Sequence, residues 1–332
     1  MAGFDRIIGH EQTVMQLKAS LREGRVSHAC IIEGNPGSGR RTLALAYAAA
    51  LECEVLTDDS CTECTSCRQA ASHNHPDIIW ITHEKPSVIS VDEVRTQLVG
   101  DIQIKPYSGK YKIYIMPEAE KMNQAAQNAL LKTLEEPPAY AVILLLTANA
   151  SSLLETIRSR CVHYQLRPLE DELVRKTVMQ RMEVPDYHAA LCAAFGQGSI
   201  GKALQLAGSE NFVQLRDMAL RIVAKAPTMS IAALAAEVKE VTEYKVTIHD
   251  FLDILSIWYR DVLYFKATRQ TDRLIMPDQI PMIRRAASKC SYEGVEMILE
   301  ALDKAKARLD ANVSFDLTME LLFMTIREYS EK

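Results

Sequence analysis

Short apolar runs alternate with helical stretches through the first half of the chain, and the second half is helical throughout. Residues 28–32 (HACII), 77–82 (DIIWIT), 111–116 (YKIYIM), 141–146 (AVILLL) and 162–166 read as strands. The run at 141–146 has no polar alternation, the pattern of a strand covered on both faces of a parallel sheet. A polar helix (TVMQLKASLREG) precedes the first strand and stops at Gly24. An alanine-rich helix follows at 43–51, and another opens at Ser90, with Glu93 three residues on forming a capping box. Residues 122–136 carry apolar side chains at Met122, Ala125, Ala126, Ala129, Leu130 and Leu134, at helical spacing, until Pro137-Pro138 ends the helix. Strands alternating with helices from 28 to 166 predict an α/β domain with a parallel sheet.

From Pro168 the pattern predicts helices over 170–182, 188–195, 199–206, 212–225, 231–241, 246–268, 279–289, 292–309 and 317–330. Val295, Ile298, Leu299, Leu302, Ala305 and Leu309 form one apolar stripe. The aromatics of 258–265 (WYRDVLYF) fall inside a helix and read as core or subunit interface. A chain of 332 residues has room for two or three domains with real cores. No apolar run approaches the roughly 18 residues that span a bilayer, so no membrane partner is expected. The N-terminus (MAGFDRIIGHEQ) lacks a basic-then-apolar profile, which makes the cytoplasm the expected compartment. A net charge of −5 argues against nucleic-acid binding by bulk positive charge, though not against a local basic patch or DNA contact shared with partner subunits.

Between the first strand and its helix lies Gly34-Asn-Pro-Gly37-Ser-Gly39-Arg40-Arg41-Thr42. Strand, glycine loop and helix form the setting in which G-x-x-x-x-G-K-[ST] cradles phosphates. Here the lysine position holds Arg40 and the Mg²⁺-binding hydroxyl position holds Arg41, while Thr42 comes one residue late, about 100° around the helix. A guanidinium can donate to phosphate but is not interchangeable with an ammonium, and it cannot ligate Mg²⁺. The strand at 111–116 ends in Pro117-Glu118, where a P-loop ATPase carries an aspartate that supports the metal and a glutamate that activates water. The glycine loop thus reads as a nucleotide cradle without its metal arm.

Cys53, Cys61, Cys64 and Cys67, spaced C-x7-C-x2-C-x2-C, read as a closed Cys₄ set for structural zinc. The other four cysteines stand singly and read as packing residues. His73 and His75 in HNHP read as loop residues, not a second metal site. Arg158 and Arg160, in TIRSRC near a helix end, read on local grounds as complements to the helix dipole.

FDRIIGHEQ, SHACIIEGNPGSGR, the four-cysteine segment, NALLKTLEEPP and TIRSRC occur in an order that resembles bacterial clamp-loader subunits of the DNA polymerase III holoenzyme. The likeness is strong over 1–206 and looser in the helical remainder, through WYRDVL and ANVSFDLTMELL. It implies an AAA+ α/β domain at 1–167 carrying the zinc module (53–67), a helical lid at 168–208 and a helical collar at 209–332. It implies that Arg160, the arginine of SRC, is a finger reaching the nucleotide of a neighbouring subunit. Implied partners are gamma/tau-type and delta subunits, with the sliding clamp and primer–template DNA met through the complex. The sensor position is Ala148, and Gly201 stands at the sensor-2 arginine position beside Lys202. With the changes at Arg40, Arg41 and Pro117, five positions of one nucleotide site are altered together. The expectation is a non-hydrolysing loader subunit that binds ATP weakly or not at all. The rival readings are an ATP-hydrolysing gamma/tau-like subunit and a zinc-containing DNA-binding module.

Overall fold

The structure, a computed structural model, describes residues 3–311 and 313–330; the first two and last two residues, and Asn312 of the ANVSFDLTMELL stretch, lie outside the described residues, as do the side chains of Ile231 and Val246. The chain divides into two compact units, 1–170 with 198–201 and 171–197 with 202–332.

The first unit is built on five parallel strands, β1 (Ala29–Glu33), β2 (Ile78–Trp80), β3 (Lys112–Met116), β4 (Ala141–Thr147) and β5 (Val162–Gln165), in the order β2-β3-β4-β1-β5. Its helices are α1 (Glu11–Arg22), α2 (Arg40–Leu51), α3 (Thr65–Ala71), α4 (Val91–Val94), α5 (Gln124–Glu135) and α6 (Glu155–Arg158). Side chains alternate across a strand, so each continuous apolar run feeds two cores. Cys30, Ile32, Ile113, Ile115, Leu144 and Leu146 face α2, whose alanines let helix and sheet lie close. Ile31, Tyr114, Met116, Ile143 and Leu145 face Leu98, Ala126, Leu130 and Leu134. Because the strands are parallel, their C-terminal ends share one edge, and the glycine loop, Pro117 and Ala148 all follow strands there.

Some local structure departs from expectation. The capping box at Ser90 forms, but α4 runs on as a π-helical turn, Arg95–Val99, closed by Gly100 N donating to Arg95 O at 2.8 Å. The helix expected from 122 starts at Gln124, after Asn123, whose side chain accepts from Ala126 N at 2.8 Å. Within the four-cysteine segment, Cys64 caps the short α3, which carries Cys67.

At the opposite edge of the sheet, two buried carboxylates hold the turn that leads into β3. Asp77 accepts from Tyr107 N at 2.6 Å and from Ser108 N and Gly109 N at 2.8 Å. Glu52, at the end of α2, accepts from Lys110 N at 3.1 Å and Tyr111 N at 2.7 Å. His75, read from sequence as a plain loop residue, is buried and engages Ser66 Oγ and Asp77 N.

The second unit is helical throughout its described residues: α7 (Asp171–Met182), α8 (Asp186–Gly196), α10 (Glu210–Lys225), α11 (Ile231–Thr242), α12 (Ile248–Thr268), α13 (Ile280–Lys289), α14 (Tyr292–Asp310) and α15 (Phe315–Tyr329). Between α8 and α10, α9 (Ile200–Ala207) begins in the first unit and ends in the second. Phe251, Leu255, Trp258 and Tyr259 of α12 are buried, as are Ile298 and Leu302 of α14 and Met319 and Phe323 of α15. The 258–265 aromatics that are buried belong to a core, one of the two roles expected of them. No helix among the described residues is long and apolar enough to cross a membrane.

Burial raises Asp77, but the backbone donors of Tyr107, Ser108 and Gly109 outweigh it and hold the carboxyl below its ordinary value of 3.8. A depressed acid contributes stability that is present above the unfolded pKa and lost as pH falls through the folded one. Asp77→Ala leaves three N–H groups without their acceptor and is expected to lower unfolding free energy by about 2 kcal/mol or more at pH 7. In urea titrations the gap from wild type should narrow as pH falls below 3.8; a gap unchanged with pH would mean that the ionised carboxylate is not the tether.

Candidate functional site

The glycine loop leaves β1 and enters α2 through Gly37 at φ 76° and Gly39 at φ 97°, left-handed backbone that glycine adopts without strain. Three successive loop carbonyls are taken by the chain itself. Ser199 Oγ donates to Pro36 O at 2.9 Å, Gly201 N donates to Gly37 O at 2.9 Å, and His10 Nε2 lies 3.1 Å from Ser38 O. Burial holds His10 below its ordinary value, against the Ser38 bond, so the neutral ring must carry its proton on Nε2 to make this contact. A Cβ at Gly201 would stand 2.8 Å from both the Cα and the O of Gly37. No side chain fits there, least of all an arginine.

The other candidate residues point away from phosphate chemistry. Burial pulls the Arg40 guanidinium down from its ordinary value, with Glu120 and Glu118 opposing, and its Nη1 is buried without a hydrogen-bond partner. Arg41 stacks on Trp80 of β2 at 5.3 Å, and His73 packs on the same indole at 5.3 Å. Thr42 is exposed on the first turn of α2, and Pro117 is buried. Glu118, in left-handed backbone at φ 53°, is shared by Lys121 Nζ at 2.6 Å and His83 Nε2 at 3.2 Å. The Lys121 contact is the main reason its carboxyl lies below the usual range. Thr147 Oγ1 and Asn149, which flank Ala148, are bound into a local turn: Asn149 N donates to Thr147 Oγ1 at 3.1 Å, and the Asn149 side chain accepts from Ser151 N at 2.9 Å. Lys202 bears on Asp250 of α12, countering the burial that raises that carboxyl. Pro117, which has no carboxylate, stands directly after β3, where the Mg²⁺ of a bound nucleotide would need one.

Arg160 lies apart from the loop, partly exposed. Its Nη1 donates to Thr156 O at 2.9 Å and its Nη2 pairs with Glu135 Oε1 at 2.9 Å. A half-exposed pair of this kind contributes about 0–1 kcal/mol, so Arg160 can exchange partners at little cost.

The sulfurs of Cys53, Cys61, Cys64 and Cys67 all lie within 4.8 Å of one another, and Cys61 and Cys67 are 3.9 Å apart. A tetrahedral ion with four metal–sulfur bonds of about 2.3 Å spaces its sulfurs by about 3.8 Å, so the cluster fits one thiophilic ion. The sulfurs also accept N–H bonds: Cys53 from Leu56 and Cys61, Cys61 from Cys64, and Cys64 from Cys67, at 3.3–3.4 Å. The backbone donors of Cys64 and Glu63 pull the Cys61 thiol down to about 7. Asp58 and Asp59, in the same segment, bind Arg22 and Lys18 of α1. Cys30, Cys192 and Cys290 are buried free thiols, in keeping with packing roles.

A family model described as DNA polymerase III, delta subunit, matches residues 9–170, and one described as its C-terminal part matches 210–326. The chain is similar to DNA polymerase III subunit delta' of Bacillus subtilis (strain 168), at 28% identity over 313 residues and 93% of each chain. It is similar to subunit tau/gamma of Haemophilus influenzae, at 32% identity over 209 residues, 61% of this chain but only 30% of that one. Subunit tau of B. subtilis is 27% identical over 350 residues, 97% of this chain and 62% of its own. A gamma-subunit-related protein of Thermotoga maritima superposes with a TM-score of 0.45 at 20% identity, covering 96% and 99% of the two chains.

Gly201→Ala is expected to destabilise the chain by about 1–3 kcal/mol, because the added methyl meets the Gly37 backbone and not a movable side chain. Gly201→Arg should cost at least as much. Urea unfolding at neutral pH measures both, and an alanine variant as stable as the parent would show that Gly37 and Gly201 do not lie in contact.

Proposed function

We propose, from the premise that this chain belongs to the DNA polymerase III delta-subunit family, that it is the delta-prime-type, non-hydrolysing member of the clamp loader. The observation that carries the proposal is the seat of Gly201 against Gly37, which leaves no room for an arginine at 201, beside an Arg160 held at the surface by the Thr156 carbonyl, Ser159 Oγ and Glu135. A loader subunit of this kind takes no part in its own ATP chemistry. Instead Arg160 leaves Glu135 and presents its guanidinium to the γ-phosphate bound by an adjacent gamma/tau-type subunit. There it stabilises charge that develops in the transition state, a contribution of roughly 10³–10⁵ in rate for finger arginines. Residues 168–208 would serve as the lid and 209–332 as the collar that joins the gamma/tau-type and delta subunits. Through the assembled ring the chain helps place the sliding clamp on primer–template DNA. Zinc is the ion proposed for the four cysteines, in a structural role, since four thiolates leave no open position for chemistry.

The deciding measurement is the clamp- and DNA-stimulated ATPase rate of the reconstituted loader, with the chain wild-type or Arg160→Ala and the isolated chain as background. A silent background and a marked fall on substitution are expected. An unchanged rate would make Arg160 structural, and turnover by the isolated chain would favour the hydrolysing gamma/tau-like reading. Metal analysis should find one zinc per chain, lost in Cys61→Ser together with part of the thermal stability of the first unit. A chain purified without stoichiometric zinc would remove that assignment.

A further inference from the structure

The turn at 104–110 (IKPYSGK) is held far more firmly than a surface loop requires. Asp77 and Glu52, both buried, together accept from the backbone N–H groups of residues 107–111, and Ser108 Oγ adds a bond to Asp77 at 3.1 Å. On the other flank Lys112 Nζ donates to Ile104 O at 3.2 Å, and Tyr140 OH donates to Gln103 O at 3.0 Å. Burying two carboxylates is costly, and loops ordinarily leave their polar groups to water. What this framework displays is apolar: Tyr107 is 89% exposed and Ile104 62%. Lys105 and Lys110 are exposed beside them, and no acidic residue occurs from 102 to 112.

Pre-ordered aromatic and aliphatic side chains on a rigid backbone are what anchors an interface, because little freedom is lost when they are buried. Lys105 has no ion pair among the described residues and, of the carboxylates, Lys110 bears only on the buried Glu52 from the surface, so the exposed lysines call for carboxylates opposite. We propose that the 104–110 turn is a docking finger for another protein, one with an apolar depression that receives Ile104 and Tyr107 and a carboxylate rim that meets Lys105 and Lys110. A nucleic acid fits less well, since Ile104 has no face for a base to stack on. The inference rests on the reading of the chain as part of a multiprotein loader, and it names a surface which that reading leaves open.

The test places the photo-crosslinker p-benzoylphenylalanine at Tyr107 in the loader reconstituted with sliding clamp and primed DNA. The expected product is a protein–protein crosslink to an apolar site flanked by Asp or Glu. Affinity for the crosslinked component should fall at least about tenfold in Ile104→Ser/Tyr107→Ser, with the unfolding midpoint unchanged because both side chains are exposed. Lys105→Glu/Lys110→Glu should slow association and flatten its salt dependence. A loader that assembles and loads clamps but crosslinks only to DNA, or to no protein, overturns the inference alone. A wild-type chain that enters no complex overturns the loader reading and the inference with it.

Discussion

Gly201 meets Gly37 backbone to backbone, through a hydrogen bond of 2.9 Å and a Cα approach that leaves no room for a Cβ on residue 201. That contact turns the glycine loop from an open cradle into a seat for the first turn of α9. The loop keeps the conformation that P-loops require, with Gly37 and Gly39 in left-handed backbone at the C-terminal end of β1. What differs is which chain elements use its polar groups. Pro36, Gly37 and Ser38 each have an intramolecular donor on the carbonyl, while a phosphate would be met by the backbone N–H groups of such a loop, which these contacts do not occupy.

The surrounding substitutions follow from the same constraint. Arg40 lies half-buried towards Glu118 and Glu120, at the position where a P-loop lysine would reach a nucleotide. Arg41 is free to stack on Trp80, which a metal-ligating serine or threonine could not do. Glu118 is shared between Lys121 and His83, so the group that would polarise water is already neutralised by its neighbours. Arg41 and Glu118 are each satisfied by their neighbours, while Arg40 leaves its Nη1 buried without a hydrogen-bond partner.

The sequence made the sheet legible because a strand buried on both faces must be apolar throughout, and the β4 run could hardly be read otherwise. The cysteine cluster was legible from spacing alone, since two C-x2-C steps leave few other ways to satisfy four thiols. Tethers that join distant residues were not. Asp77 reads as the first residue of a strand, yet its carboxylate serves residues 30–32 positions away. Glu52 reaches 58 and 59 positions. The π-helical turn after α4 and the seven-residue α3 escaped because neither carries enough apolar positions to set a period. The alteration at Gly201 was visible as a missing arginine, but only the structure gives its reason, the approach of Gly37.

The cysteine cluster and the closed loop are connected, though not tightly. Asp59 of the cluster segment binds Lys18 of α1 and accepts from Phe4 N, and Asp58 binds Arg22. The segment therefore fastens the N-terminal residues and α1, whose N-cap is His10, the residue at the Ser38 carbonyl. Releasing a metal would loosen this one latch. The other two, from Ser199 and Gly201, come from residues far along the chain from the cysteines and do not run through α1. Loss of metal should then weaken the fold around α1 while leaving the loop closed. Stability around α1 and the seating of the glycine loop against residues 199–201 are separable properties, held by different contacts.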